Sequence, residues 1–169
     1  MNKTDTTMHS NIYQISSSPI TEDEYASPSD YYENSGDFAD YIGDPYEGEE
    51  REEKIKNFAS VIEDVFTYKG GGEFEYKGKE TMRKFKQQWI GELQSKVAAL
   101  TPDNLFKTQN LFSIKQLTKK THLDASSRVD IAEWCGSCAY PLGELFEWAD
   151  SLLKKGDRFY IGAVIDYHY

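Results

Sequence analysis

Apolar positions are densest between residues 158 and 169, where β-branched and aromatic side chains suit a pleated surface. Phe159, Ile161, Ala163, Ile165 and Tyr167 fall on one face of an extended chain, and Tyr160, Gly162 and Val164 on the other. A strand apolar on both faces is expected in the middle of a sheet rather than at its edge. Residues 11–17 carry a shorter apolar group, Ile12, Tyr13 and Ile15, ended by three serines and Pro19, which predicts a first strand.

Helical spacing takes over further along. Ile55, Phe58, Ala59, Ile62, Val65 and Phe66 make one stripe of a helix over 49–66, with glutamates crowding its first turns. Gly70, Gly71 and Gly72 are expected to stop it, and 73–77 to alternate as an exposed strand. A long helix over 79–100 places Met82, Phe85, Trp89, Leu93, Val97 and Leu100 on one face. Thr101 and Pro102 read as a cap and first turn, restarting a helix that runs over 105–121. A strand follows over 128–134, with Val129 and Ile131 on one face. Pro141 then opens a helix striped by Leu142, Leu145, Phe146, Ala149, Leu152 and Leu153, and Gly156 closes it. A short helix over 35–42 completes the pattern. The reading is an α+β domain: a small mixed or antiparallel sheet packed by about four to five helices, with the C-terminal strand central. Residues 11–169 form this single domain, and 1–10 are a disordered lead-in.

Charge changes the picture in the first third. Residues 1–53 hold 14 acids and 2 bases, whereas 54–169 hold 15 acids and 17 bases, so the whole excess of −10 lies before residue 54. Such acidity repels nucleic acid at long range and attracts basic surfaces, so the expected partner is a protein with a basic surface and not nucleic acid itself. The acids between 21 and 53 are interleaved with aromatics, unlike a disordered acidic tract. Glu22, Asp23, Glu24, Tyr25, Asp30, Tyr31, Tyr32, Asp37, Asp40 and Tyr41 are therefore the candidate recognition surface, since tyrosine supplies contact area and carboxylates match a basic groove. In size and charge the chain is similar to acidic proteins of phages and mobile elements that imitate the DNA phosphate backbone to block defence enzymes. No apolar run reaches the ~18 residues of a membrane span, and residues 1–20 lack a secretion signal. With two cysteines, no disulfide framework is expected. A cytoplasmic, non-enzymatic interaction protein is the leading reading.

The sharpest local motif supports a rival. Residues 132–138, Ala-Glu-Trp-Cys-Gly-Ser-Cys, resemble the active-site motif of the thioredoxin family, with Ser137 where that family has proline. The resemblance implies Cys135 as attacking thiol and Cys138 as its resolving partner, and a thiol at a strand-to-helix junction would be made reactive by nearby amide N–H groups. A thioredoxin fold needs about 70 residues after the motif, including a cis-proline, and this chain has 31, so that fold is excluded. The pair remains a redox or zinc half-site alternative to ordinary packing cysteines; His122 and His168 lack finger-like spacing from it. No phosphate loop, dinucleotide, zincin or nucleophile-elbow motif occurs, so no cofactor and no metal is expected. Asp166 and His168 share one face of the last strand, the spacing of a small polar site.

Overall fold

In a computed structural model, which describes residues 9–31, 39–107, 127–134 and 138–168, the C-terminal segment forms an eleven-residue strand paired along both sides. This strand, β7 (Arg158–His168), runs antiparallel to β1 (His9–Ser16) on one side. Its other side is shared: β4 (Glu73–Tyr76) pairs with residues 158–160, and β2 (Tyr41–Pro45) with residues 165–168. A hairpin adds β3 (Phe66–Gly70) outside β4. Beyond β1 come β5 (Ser127–Ile131), parallel to β1, and the two-residue β6 (Tyr140–Pro141). The sheet is therefore seven-stranded and mixed. Three helices accompany it among the described residues: α1 (Gly48–Ile62), α2 (Lys79–Ala98) and α3 (Gly143–Leu152). None is long and apolar enough to cross a membrane.

Helices α1 and α3 lie against one face, here called face 1. Ile55, Phe58 and Ile62 of α1 meet Tyr13, Phe74 and Phe159, while Leu145, Phe146, Trp148 and Ala149 of α3 fill the rest. Aromatic rings dominate: Phe74 stacks on Phe159 at 4.8 Å, Tyr13 on Phe58 at 4.1 Å, and Phe66 meets Phe159 edge-on at 5.1 Å. Such offset and edge-to-face pairs add to the burial of large rings. Face 2 carries a smaller cluster, Ile12, Ile42, Ala163, Ile165 and Tyr167, covered by Ala26, Tyr31 and Ala139 instead of by a helix.

A bulge in β7 decides which residues reach which face. Tyr13 pairs with Val164, but Ile15 pairs with Ile161, so Gly162 and Ala163 together oppose Gln14. The expected simple alternation is thereby broken. Phe159, Ile161 and Val164 belong to face 1, while Ala163, Ile165 and Tyr167 belong to face 2. Gln14 fills the irregularity: its Oε1 accepts from the N–H groups of Ala163 and Ala26, both at 3.0 Å, and its Nε2 donates to the Glu24 carbonyl at 3.0 Å. Glycine suits position 162, because an added Cβ would stand 2.5 Å from Gln14 Oε1 and 2.9 Å from Ile20 Cδ1, and both side chains would have to give way. On the other edge of β7, in the notch between β4 and β2, Arg51 donates to the Gly162 carbonyl from Nε at 3.0 Å and from Nη2 at 2.7 Å, and to the Ile161 carbonyl at 2.7 Å. Two polar side chains thus satisfy backbone groups that no strand reaches.

Several expected boundaries are corrected. The helix predicted over 49–66 ends at Ile62, and Phe66 opens β3. Gly70, Gly71 and Gly72, all at positive φ, turn a β-hairpin rather than stop a helix. Strand β4, expected to be exposed, has Phe74 and Tyr76 fully buried because β3 and β7 flank it. Residues 41–42, placed in a short helix by their spacing, are in β2; 35–38 lie outside the described residues. Thr101–Lys107 form turns, not the start of a helix, and Asn104 caps the end of α2 by donating to the Ala99 carbonyl at 3.0 Å. The rest of the helix expected over 105–121 falls outside the described residues. Of the α2 stripe only Met82 is fully buried; Phe85 leans on Phe146 and Val97 is exposed.

Candidate functional site

Residues 21–31 cross face 2 as two single 3₁₀ turns, Glu22–Glu24 and Pro28–Asp30, each started by a hydroxyl residue three positions before an acid. Glu24 accepts from the Thr21 backbone N–H at 3.0 Å and hydroxyl at 2.8 Å; Asp30 accepts from the Ser27 backbone N–H at 2.7 Å and hydroxyl at 3.1 Å. These reciprocal caps fix a segment too short for a regular helix. They also hold Glu24 below the usual carboxylate range, chiefly through the Thr21 N–H, and the Thr21 side chain does the same for Asp23.

The segment is pinned to the sheet from below. Tyr31 is wholly buried, and its hydroxyl donates to Asp130 Oδ2 at 2.7 Å. Asp130 is the polar residue between Val129 and Ile131 on β5, so strand alternation sends it to face 2 while its neighbours enter the face-1 core. Burial pushes the Asp130 carboxyl above its ordinary value; the Tyr31 hydroxyl and the Cys138 backbone N–H, both donors to it, act against that rise.

Between the turns and the end of β5 lies a cavity of about 370 Å³. Asp23, Glu24, Asp30 and Asp130 line it together with Tyr25 and Trp134, and none of its lining residues is basic. That volume is within the usual range for small-ligand pockets, about 300–1,000 Å³. Four carboxylates beside two aromatic rings suit a guanidinium or ammonium group, which can donate charge-assisted hydrogen bonds to the carboxylates while a ring lies against its face. Tyr25 also borders a second cleft of about 680 Å³, reaching Glu22, Tyr46, Glu47 and Arg51. The Arg51 guanidinium lies over the Tyr25 ring at 5.3 Å, which holds that ring in place between the two cavities.

The structure gathers Asp23, Glu24, Tyr25 and Asp30 in one pocket and puts Glu22 in the adjoining cleft. Tyr31 supports the pocket from the core instead of facing solvent. Asp40 and Tyr41 stand apart, at the start of β2 beside His168, and Tyr32 and Asp37 lie outside the described residues. Sequence reasoning missed Asp130 and Trp134. An acid flanked by the two apolar strand residues Val129 and Ile131 was the available signal for Asp130.

Of the cysteine pair, Cys138 is half-buried and Cys135 lies outside the described residues. The chain leaves Cys138 into β6, and α3 begins only at Gly143, so the expected strand-to-helix junction is instead a strand-to-strand connection. Asp166 and His168 keep their shared face, on the opposite side of the sheet from the pocket. No protein-family model, curated protein or solved structure matches this chain.

Proposed function

We propose that this protein is a binding protein that recognises a basic protein partner, taking a cationic side chain of that partner into the acidic pocket on face 2. The observation that carries this reading is the convergence of Asp23, Glu24, Asp30 and Asp130 with Trp134 on one cavity that no basic side chain lines. Between α2 and α3, by contrast, Lys86 meets Glu147 and Asp150 at 2.9 and 3.0 Å. Arginine is the preferred guest, since its planar fork can bind two carboxylates while its face lies on an aromatic ring. A nucleic-acid-binding protein, whose basic surface is made to receive phosphates, is the most concrete partner of this kind. The acidic excess of residues 1–53 would speed the encounter, and its effect would fade with salt because exposed charges are screened beyond about 8 Å at physiological ionic strength.

The test is a titration of the full chain with a nona-arginine peptide, followed by tryptophan fluorescence and calorimetry. Asp23→Asn combined with Asp130→Asn is expected to weaken binding by more than about tenfold, and Trp134→Ala to abolish most of the fluorescence change. Nona-lysine is expected to bind less tightly than nona-arginine. Equal affinities for wild type and the double variant would remove the pocket from the recognition surface.

A further inference from the structure

The geometry points to a divalent transition-metal site, with zinc as its first choice, built from His9, Asp166 and His168 on face 1. Residue register brings the three together. His9 of β1 pairs with His168 of β7, and Asp166 is two residues back on the same face. Their donor atoms all lie within 4.8 Å of one another. His9 Nδ1 and His168 Nε2 each stand 3.0 Å from the same oxygen, Asp166 Oδ2. Ligands held about 2.0–2.2 Å from one cation are about 3.0 Å apart when they meet at a right angle, and about 3.4 Å apart at the tetrahedral angle. Both nitrogen–oxygen spacings are those of adjacent ligands on one cation, and the two imidazole donors lie within 4.8 Å of each other.

The donor set agrees with the ion. Two imidazoles and one carboxylate suit zinc, iron(II) and their neighbours rather than calcium or magnesium, which demand oxygen. Three protein ligands leave at least one coordination position for water or for a group brought by a partner. The surroundings support the arrangement without filling it. The His9 and His168 rings pack edge-on at 3.9 Å, and Tyr41 tilts against His168 at 5.2 Å, fixing both imidazole planes. The Tyr46 hydroxyl lies near enough to Asp166 to feel its charge. On the β2 side the neighbour is Gly43, where an added Cβ would stand 3.3 Å from Asp166 Cβ, so a side chain at that position would crowd Asp166. His9 is largely exposed, which gives an ion a route in. The site lies about 17 Å along β1 from Gln14 and the acidic pocket, at roughly 3.4 Å per residue, and does not depend on the pocket's role.

The full chain, freed of metal by a chelator, is titrated with zinc chloride in a calorimeter, and with cobalt chloride followed by visible absorption. One equivalent of zinc is expected to bind and to raise the thermal midpoint. His9→Gln, Asp166→Asn and His168→Gln should each lower zinc affinity by more than about tenfold and remove the thermal shift. His9→Gln is the decisive variant, since an exposed side chain can be changed without loss of fold, as circular dichroism will verify. The Cys135→Ser, Cys138→Ser double variant should bind zinc as wild type does. The proposal is overturned by the absence of stoichiometric zinc, by zinc that persists when His9→Gln and His168→Gln are combined, or by zinc that leaves with the cysteines. Absence of zinc would mark the triad as a carboxylate held by two imidazole hydrogen bonds alone.

Discussion

The two faces of one sheet are stabilised in different ways. Face 1 is covered by helices and packed with rings, and its strands contribute Tyr13, Phe74 and Phe159 to one continuous apolar cluster. Face 2 has a thinner apolar layer, and its cover is a capped, non-helical segment tied down by the Gln14 bonds and by the Tyr31–Asp130 bond. Apolar packing is non-directional and roughly proportional to area, so face 1 holds the strands together without prescribing fine positions. Hydrogen bonds to buried partners are directional and costly to leave unmade, so face 2 places residues 21–31 in one register. The pocket is built on the face that specifies position, while the face that supplies bulk stability carries the large core.

Mutations can break this contrast in order of size. Phe159→Ala, at the centre of the face-1 rings, should destabilise the protein by about 3–5 kcal/mol, measured by urea unfolding. A cost below 1 kcal/mol would show that the ring cluster is not the main source of stability. Gly162→Ala should cost about 1–3 kcal/mol, because the added carbon displaces Gln14 Oε1 and breaks the bonds that fill the bulge. A cycle with Gln14→Ala sharpens the point. If Gln14 is the obstacle, the double variant will lose less than the two single losses added together.

The smallest effect concerns pH. Burial raises the Asp130 carboxyl above its unfolded value, so the folded state holds this proton more firmly than the unfolded chain does. That contribution to stability is full in acid, below the unfolded value, and is lost as pH rises through the raised folded value. Asp130→Asn keeps an acceptor for Tyr31 and removes the titration. The variant should therefore show a flatter stability profile from acid to neutral pH, with a higher midpoint than wild type at neutral pH. Parallel profiles would mean that Asp130 does not titrate against folding at all.

Period and composition were enough to read α1, α3 and β7. The stripes of α1 and α3 and the apolar density of β7 follow from one repeating rule each, so Ile55, Phe58, Leu145 and Phe159 are recognisable as core from sequence alone. What escaped depended on partners far away in the chain. The bulge at Gly162 exists because Gln14 opposes it, and an isolated glycine in a strand announces only that something irregular can happen there. Strands β2, β3 and β6 are short and gain their stability by pairing, which local propensity does not report. Acidic residues 22–30 were legible as charge, but their convergence with Asp130 and Trp134 needed the fold. His9 stood in what read as a lead-in, and only its pairing with His168 reveals a common site.

The central pairing has a kinetic consequence. Gln14 and Ala163, which meet at the bulge, are 149 positions apart, and β1 and β7 form the seam on which both flanks of the sheet depend. Closing so long a loop precedes any reward from the contacts it creates, and topologies dominated by distant pairs fold slowly, on millisecond-to-second scales or longer. Helices α1 and α3 and the β3–β4 hairpin are local and can form early. Until the seam closes, however, β1, β2 and β4 present open edges that other chains could pair with. The interval between synthesis and closure is therefore the period in which this protein is most exposed to aggregation, and its acidic first third, by keeping chains apart, protects it through that delay.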